Sequence, residues 1–458
     1  MRFRHALPAI AIVIAAGCED TLSLEPVNEV PAETAIVDAA SAHAALLGAY
    51  DALQEDDGYY GGNFFFYGDL GSDIVDHTGT FDTYLEVDRH QTTADNGSVL
   101  GMYEVIYEGI HRVNVVIQKV PTITDLSETE RDQILGESHF LRALHYHNLV
   151  KYFGGVALRL EPPTSIDQSG EISRATVDET YAQILTDLDQ AAQLITEDNG
   201  ATRASRGAVW ALRSRVLLYR EQWAQVLEAA DSAESYGYAL ASSYSDLFTP
   251  EGSSTPEDIF RLPFTATEFT NAGYYYGPDG RYEVAPSCSL VQAYDPAYEC
   301  GSDDYNPTDD RGAWNVQIFD GYPYGTKYPT AIGAEDMHVI RLAEVILNRA
   351  EALARTGQLA EAISEINRLR ERANATPYTL AGVASDPAVP NDQEVLEAIW
   401  NERVLELAME GDRWPDLVRT GRAVEVLGLT PDEEHTLLFP IPQNETDVSP
   451  NVEQNPGY

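Results

Sequence analysis

The stretch AEALARTGQLAEAISEINRLRERA, residues 350–373, constrains the fold more than any other part of this chain. Ala350, Gly357, Ala362 and Ile363 fall at the spacing of a helix, a tight Gly turn and a second helix, with small residues where the helices cross. Such a hairpin cannot bury its apolar side alone, so it requires helical neighbours. The segment RASRGAVWALRSRVLLYREQWAQVLEAADSA, residues 203–233, reads as a second, divergent unit, with Glu221 and Val226 where the turn Gly and the crossing Ala would stand. Two such pairs this far apart imply a helical scaffold carrying large loop insertions, not a continuous solenoid.

Other helices announce themselves by period and by caps. Tyr103, Ile106, Tyr107, Ile110, Val113, Asn114 and Ile117 recur at intervals of three and four within 98–120, and Pro121 ends the run. Ser127 with Glu130, and Thr176 with Glu179, are capping boxes that open helices to about Phe153 and Ile195. Further helices are predicted over 38–54, 203–220, 222–236, 336–356, 358–374 and 392–411. Residues 58–97 show no sustained period and are expected to be mostly loop. The chain therefore divides into 1–17, a leader; 18–37, a linker; 38–240, an N-terminal helical region with a loop near 58–97; 241–335, an aromatic, loop-rich insertion; and 336–458, a C-terminal helical region with an irregular tail.

The leader has a basic start, Arg2, Arg4 and His5, then a short apolar run from Ala6 to Ala16. That run is too short to span a bilayer, which takes about 20 residues, and it reads as a signal peptide. It ends Ile14-Ala15-Ala16-Gly17-Cys18, similar to a bacterial lipobox in which Cys18 carries the lipid. Glu19 and Asp20 follow, like an export tag to the outer face. The other two cysteines, Cys288 and Cys300, are close together in a loop-like stretch. They are expected to form a disulfide in an oxidising compartment, worth about 3 kcal/mol by loop entropy.

Acids dominate the composition. There are 74 Asp and Glu against 29 Lys and Arg, and the only lysines are Lys119, Lys151 and Lys327. Loss of Arg2 and Arg4 with the leader leaves 27 basic residues and a charge of −47. Such a surface repels nucleic acid and anionic lipid, so no nucleic-acid partner is expected and the membrane is met only through the N-terminal lipid. The self-repulsion is screened by salt, since the Debye length falls to about 3 Å near 1 M.

Four stretches resemble the SusD/RagB family of outer-membrane lipoproteins: GESHFLRALHYHNLVKYFGGV (136–156), VIRLAEVILNRAEALARTGQLAEAISEINRLRERA (339–373), NERVLELAMEGDRWPDLVRTG (401–421) and the ending LFPIPQNETDVSPNVEQNPGY (438–458). Asp310-Arg311 resembles the family's Asp-x-Arg element, whereas Tyr103 stands where the family more often has Trp. The resemblance implies a mainly α, tetratricopeptide-like scaffold with large irregular loop insertions. It further implies a role as surface partner of a SusC-like TonB-dependent transporter. It fixes no ligand residues.

Read as residues alone, Glu402, Arg403, Glu406, Glu410 and Arg413 are scaffold ion pairs at helical spacing, and Glu137 and Arg142 are pairing or capping groups. Enzyme motifs are missing from the sequence. There is no His-Glu-x-x-His, His145 and His147 diverge on a helix, and no nucleophile elbow or phosphate loop occurs. The acidic run 303–310 is a weak calcium candidate without the EF-hand Gly and Glu; otherwise no metal or cofactor is expected. Aromatic loops on a helical frame suit a polar, neutral ligand, because rings stack on sugar faces while Asp, Asn and Arg bond hydroxyls. The candidates are Asp73, Tyr84, Arg89 and Asn96 from 58–97, and Tyr275, Arg281, Trp314 and Tyr322 from 270–325. An oligosaccharide leads as ligand, with a peptide second. A surface hydrolase is the reading from another class.

Overall fold

The computed structural model describes residues 35–55, 57–163, 171–249, 254–387 and 389–458; Cys18 and the leader lie outside them. The frame is helical: α1 Ala39–Asp51, α2 Asn63–Leu70, α3 Asp82–Asp88, α4 Gly97–Lys119, α5 Glu128–Phe153, α6 Val177–Leu194, α7 Arg206–Tyr219 and α8 Trp223–Glu234. Short helices α9 Ala272–Tyr276, α10 Cys288–Tyr294 and α11 Asp310–Asn315 punctuate the insertion. The scaffold then resumes with α12 Leu342–Arg355, α13 Leu359–Arg372, α14 Asn391–Leu407 and α15 Arg413–Arg419.

Both capping boxes form. Ser127 accepts from Glu130 N while Glu130 accepts from Ser127 N, and Thr176 with Glu179 repeats the pattern. Each satisfies two backbone donors that a helix start otherwise leaves unpaired. Helix α5 is the central rod, with Phe140, Leu141, Leu144, Tyr146, Leu149 and Phe153 all fully buried. It packs between α4 and α6. Gly109 allows the α4 contact, because a Cβ there would overlap the His145 ring.

The two hairpins, α7/α8 and α12/α13, are far apart in sequence but adjacent in space: α8 packs on α12. Arg349 ties them by bonding Glu234 at 2.5 Å and Asp231 at 3.3 Å. Their turns match. Gly357 has φ +82°, and Glu221, in its place, takes φ +54°, a conformation that costs a non-glycine residue about 1 kcal/mol. Val226 and Ala362 fill the equivalent crossings and are both fully buried. The scaffold is thus continuous, and 241–335 leaves it and returns.

The insertion is closed at its base by antiparallel β2 Asp258–Leu262 and β6 Met337–Arg341. The first part of the predicted 336–356 helix is therefore a strand. Two more ribbons occur: β1 Val75–His77 with β3 Val284–Pro286, and β4 Val316–Phe319 with β5 Tyr322–Gly325. Cys288 is joined to Cys300. The 58–97 segment also departs from expectation, since it contains α2 and α3. Phe64, Phe65, Phe66, Tyr67 and Leu70 of α2 are all buried, so the helix has no polar face from which a period could be read.

A buried charge junction locks the insertion to the C-terminal helices. Arg311, with no exposed surface, donates to Asp309, to Glu402 at 2.6 Å and to Glu406 at 3.2 Å. Arg341 reaches Glu257 at 2.8 Å, Glu406 at 2.6 Å and Glu410 at 2.7 Å. Lys327 bonds Glu410 and the Ala408 carbonyl. Burial alone would raise the Glu410 carboxyl, but Arg341 and Lys327 outweigh it and hold it at about 2. Glu406 is held low in the same way by Arg372, Arg341 and Arg311. The residues of this segment do form ion pairs, but not with one another at the expected helical spacing: their partners lie elsewhere in the fold. Arg403, for example, bonds Asp412 and Asp416, and Arg413 bonds Asp73.

Candidate ligand-binding pocket

The pocket forms where the 55–84 segment and the start of α4 meet α9 of the insertion. Asn271 N donates to Gly61 O at 2.9 Å and draws the two together. Tyr275 of α9 then comes to lie 5.9 Å from Phe81 and 6.3 Å from Tyr84, ring centre to ring centre. Glu55, Asp57, Gly62, Asn63, Thr83, Ser98 and Gly101 also line the pocket, which has a volume of about 330 Å³.

Phe81 is held by a buried carboxylate. Glu283 accepts from Thr80 N at 2.7 Å, Phe81 N at 2.6 Å, His77 Nε2 at 3.2 Å and Arg281 Nε at 2.7 Å. Burial would raise its pKa, but these donors, Phe81 N first, bring it below the ordinary value. The Arg281 guanidinium lies 3.9 Å from the Phe81 ring centre. That cation–π contact fixes the ring in place.

Tyr84 is buried and donates its hydroxyl to Asn63 Oδ1 at 2.9 Å. Asn63 lines the pocket, and this bond engages its Oδ1. A second hollow, of about 230 Å³, adjoins the first through Glu55 and is lined by Asp51, Gln54, Arg112, Glu268 and Phe269. Rings, an amide and hydroxyls around an open cleft can stack against and hydrogen-bond a polar neutral molecule.

The structure brings only some of the predicted residues together. Tyr84 and Tyr275 meet in the pocket, with Arg281 supporting its wall. Asn96 is a helix cap: its Oδ1 accepts from Ser98 N and Val99 N, and its Nδ2 donates to Thr83 O and Glu86. Asp73 is engaged by Arg413 at 2.7 and 2.9 Å. Arg89 is exposed and lines neither hollow. Trp314 is half-buried, donating its indole N–H to Lys327 O at 3.2 Å. Tyr322 sits at the tip of the β4–β5 hairpin, 60% exposed beside Phe319.

Sequence reasoning missed Phe81, Asn63, Asn271 and Asp57. Asn271 sits just ahead of the AGYYY turn of α9, and that adjacency was the one readable signal. In the acidic loop, Asp309 caps α11 and pairs with Arg311, while Asp303 accepts from Gly321 N. Among the described residues no group of three or more His, Cys, Asp and Glu is placed to hold a metal ion.

Sequence models match two parts of the chain. That of the SusD family covers residues 297–430, and one described as "Starch-binding associating with outer membrane" covers 38–218. A SusD-like protein of Formosa agariphila is 27% identical, with 100% of both chains covered. The starch-binding protein SusD of Bacteroides thetaiotaomicron is 31% identical over 32% of this chain and 25% of its own. Among solved structures, a SusD superfamily protein from Bacteroides vulgatus aligns with a TM-score of 0.79 at 22% identity, covering 92% of this chain and 99% of the other. A laminarin binding SusD-like protein aligns at 0.77 and 25% identity, covering 92% and 100%.

Proposed function

The chain belongs to the SusD/RagB family, and from that premise we propose that it is a surface lipoprotein that binds an oligosaccharide and delivers it to a SusC-like TonB-dependent transporter. The observation that carries this reading is the pocket itself. Phe81 and Tyr275 line it together with the amide of Asn63 and the hydroxyls of Thr83 and Ser98. Relatives named for binding starch and laminarin support the ligand class.

The site is open and shallow, so affinity is expected to be micromolar or weaker, about −8 kcal/mol or less favourable. Weak capture suits a protein that must release its cargo. A lipid tether at Cys18 would hold it beside the transporter at high effective concentration. Among the described residues no helix is long and apolar enough to cross a membrane, so in this reading Cys18 supplies the attachment.

An array of oligosaccharides with the purified protein tests the binding role. Reversible binding without turnover is the expected result. Turnover of any bound glycan would favour the hydrolase reading. Cys18→Ala should move the protein to the soluble fraction in detergent partitioning done without the transporter. Unchanged partitioning would remove the lipid anchor from the account.

A further inference from the structure

One short segment of the insertion supplies a ring to each of the two hollows. Phe269 lines the smaller hollow and Tyr275 the main pocket. The chain between and around them is tied down. Thr265 N donates to Glu268 O at 2.8 Å and Glu268 N to Thr265 Oγ1 at 3.1 Å, which closes a turn just ahead of Phe269. Just after it, Thr270 N donates to Gly333 O at 2.9 Å and Asn271 N to Gly61 O at 2.9 Å. Phe269 thus stands on an anchored backbone, yet its side is 41% exposed. A ring left this open gains little from the core, and its face is accessible for stacking.

The polar groups of the smaller hollow are held as well. Arg112 of α4 bonds Glu108, Asp51 at 3.2 Å and the Gly48 carbonyl at 2.9 Å. Gln54 Nε2 donates to Pro263 O. The Asp51 side chain stays largely exposed. The smaller hollow therefore repeats the chemistry of the main pocket, a ring beside amide, hydroxyl and charged groups in fixed positions. The two are of similar size, about 230 and 330 Å³, and both reach Glu55. A linear molecule that leaves one at Glu55 enters the other.

We infer that the smaller hollow is a second sugar-binding subsite, with Phe269 as its stacking face, and that the protein selects oligosaccharides long enough to fill both. The inference rests on reading the main pocket as the glycan site. A chain held at Tyr275 presents its next residues to Phe269 at high effective concentration. A sugar too short to reach across Glu55 gains only one of the two contacts.

The test is a length-graded series of neutral oligosaccharides, α-1,4 and β-1,3 glucans among them, titrated against the wild type, Phe269→Ala, Phe269→Tyr and Tyr275→Ala. Wild-type affinity should rise about tenfold or more once the chain spans both hollows, then level off. Phe269→Ala should abolish that rise and leave the affinity of the shortest binders and the Tm unchanged. Phe269→Tyr, which keeps a stacking face, should retain the rise. Tyr275→Ala should weaken chains of every length. Affinity independent of length, or a rise that survives Phe269→Ala, would overturn the second subsite and leave the main pocket standing. A rise lost equally in Phe269→Tyr would overturn the stacking role of this ring. Failure of any oligosaccharide to bind, or binding untouched by Tyr275→Ala, would overturn the reading of the main pocket, and the inference with it.

Discussion

The charge junction and the ligand pocket are built from the same residue types, aromatics, acids and arginines, and put them to opposite uses. At the junction every carboxylate meets a cation out of water: Glu402 holds Arg311 and Arg370, and Glu406 holds Arg311, Arg341 and Arg372. Rings there, such as Tyr244, serve as cation–π partners for Lys327 and Arg372. At the pocket and its adjoining hollow, by contrast, Asp57 and Glu268 are exposed to solvent along an open cleft. Phe81 and Tyr275 stand half-buried in the wall. What separates a scaffold from a site is whether the polar groups are already satisfied.

The largest break in that comparison should come from the junction. Arg311→Ala leaves Asp309, Glu402 and Glu406 buried with less compensation, and loss of one partner from such a group costs about 3–5 kcal/mol. Thermal unfolding should report a large fall in Tm. A fall no greater than that of an exposed control such as Arg89→Ala would show that the junction is not what holds the insertion.

Acid should weaken the same region. Glu406 and Glu410 have folded pKa values below their ordinary value near 4.5. Their contribution is therefore complete above that value and is lost as pH falls, for Glu410 through about 2. Stability measured from pH 5 to pH 2 should decline, and Arg341→Ala should flatten the decline. An equally steep loss in the variant would place the acid sensitivity elsewhere.

The pocket should respond in the reverse sense. Tyr275→Ala should weaken glycan binding about tenfold, about 1.4 kcal/mol, while Tm changes little, since the ring is only half-buried. Tyr84→Ala sharpens the contrast. Tyr84 is buried and braces Asn63, so it should lose both stability and binding. A smaller effect is expected from salt: Tm should rise from low to molar NaCl as the acidic surface is screened. A flat profile would show that the surface acids are too far apart to matter.

Much of the frame was legible because it rests on local chemistry. The capping boxes at Ser127 and Thr176 need residues only three apart, and the α12/α13 hairpin needs only Gly357 at its turn. The α2 helix was not legible, because a segment buried on every side has no contrast between faces. Strand β6 was not, because its partner, Asp258–Leu262, lies far back in the chain.

The site was half legible for the same reason. Aromatic loops pointed to Tyr84 and Tyr275, but composition does not reveal that Arg413, 340 positions from Asp73, already engages it. Asn96 carried a usable signal, standing directly before the helical run that it caps. Phe81 acquires its place from Glu283, two hundred residues away in sequence. Such long-range bonds are not written in any local pattern.

The central claim is that cargo is held in the pocket lined by Phe81, Tyr84 and Tyr275, not on the β4–β5 hairpin that carries Tyr322. A crystal structure of the protein with an oligosaccharide selected from the array tests it most directly. The account predicts a sugar ring against the aromatic lining at Tyr275, with hydroxyls bonded to Asn63 and Asp57. A glycan resting on Phe319 and Tyr322 at the hairpin tip, with the pocket lined by Phe81 and Tyr275 empty, would contradict it.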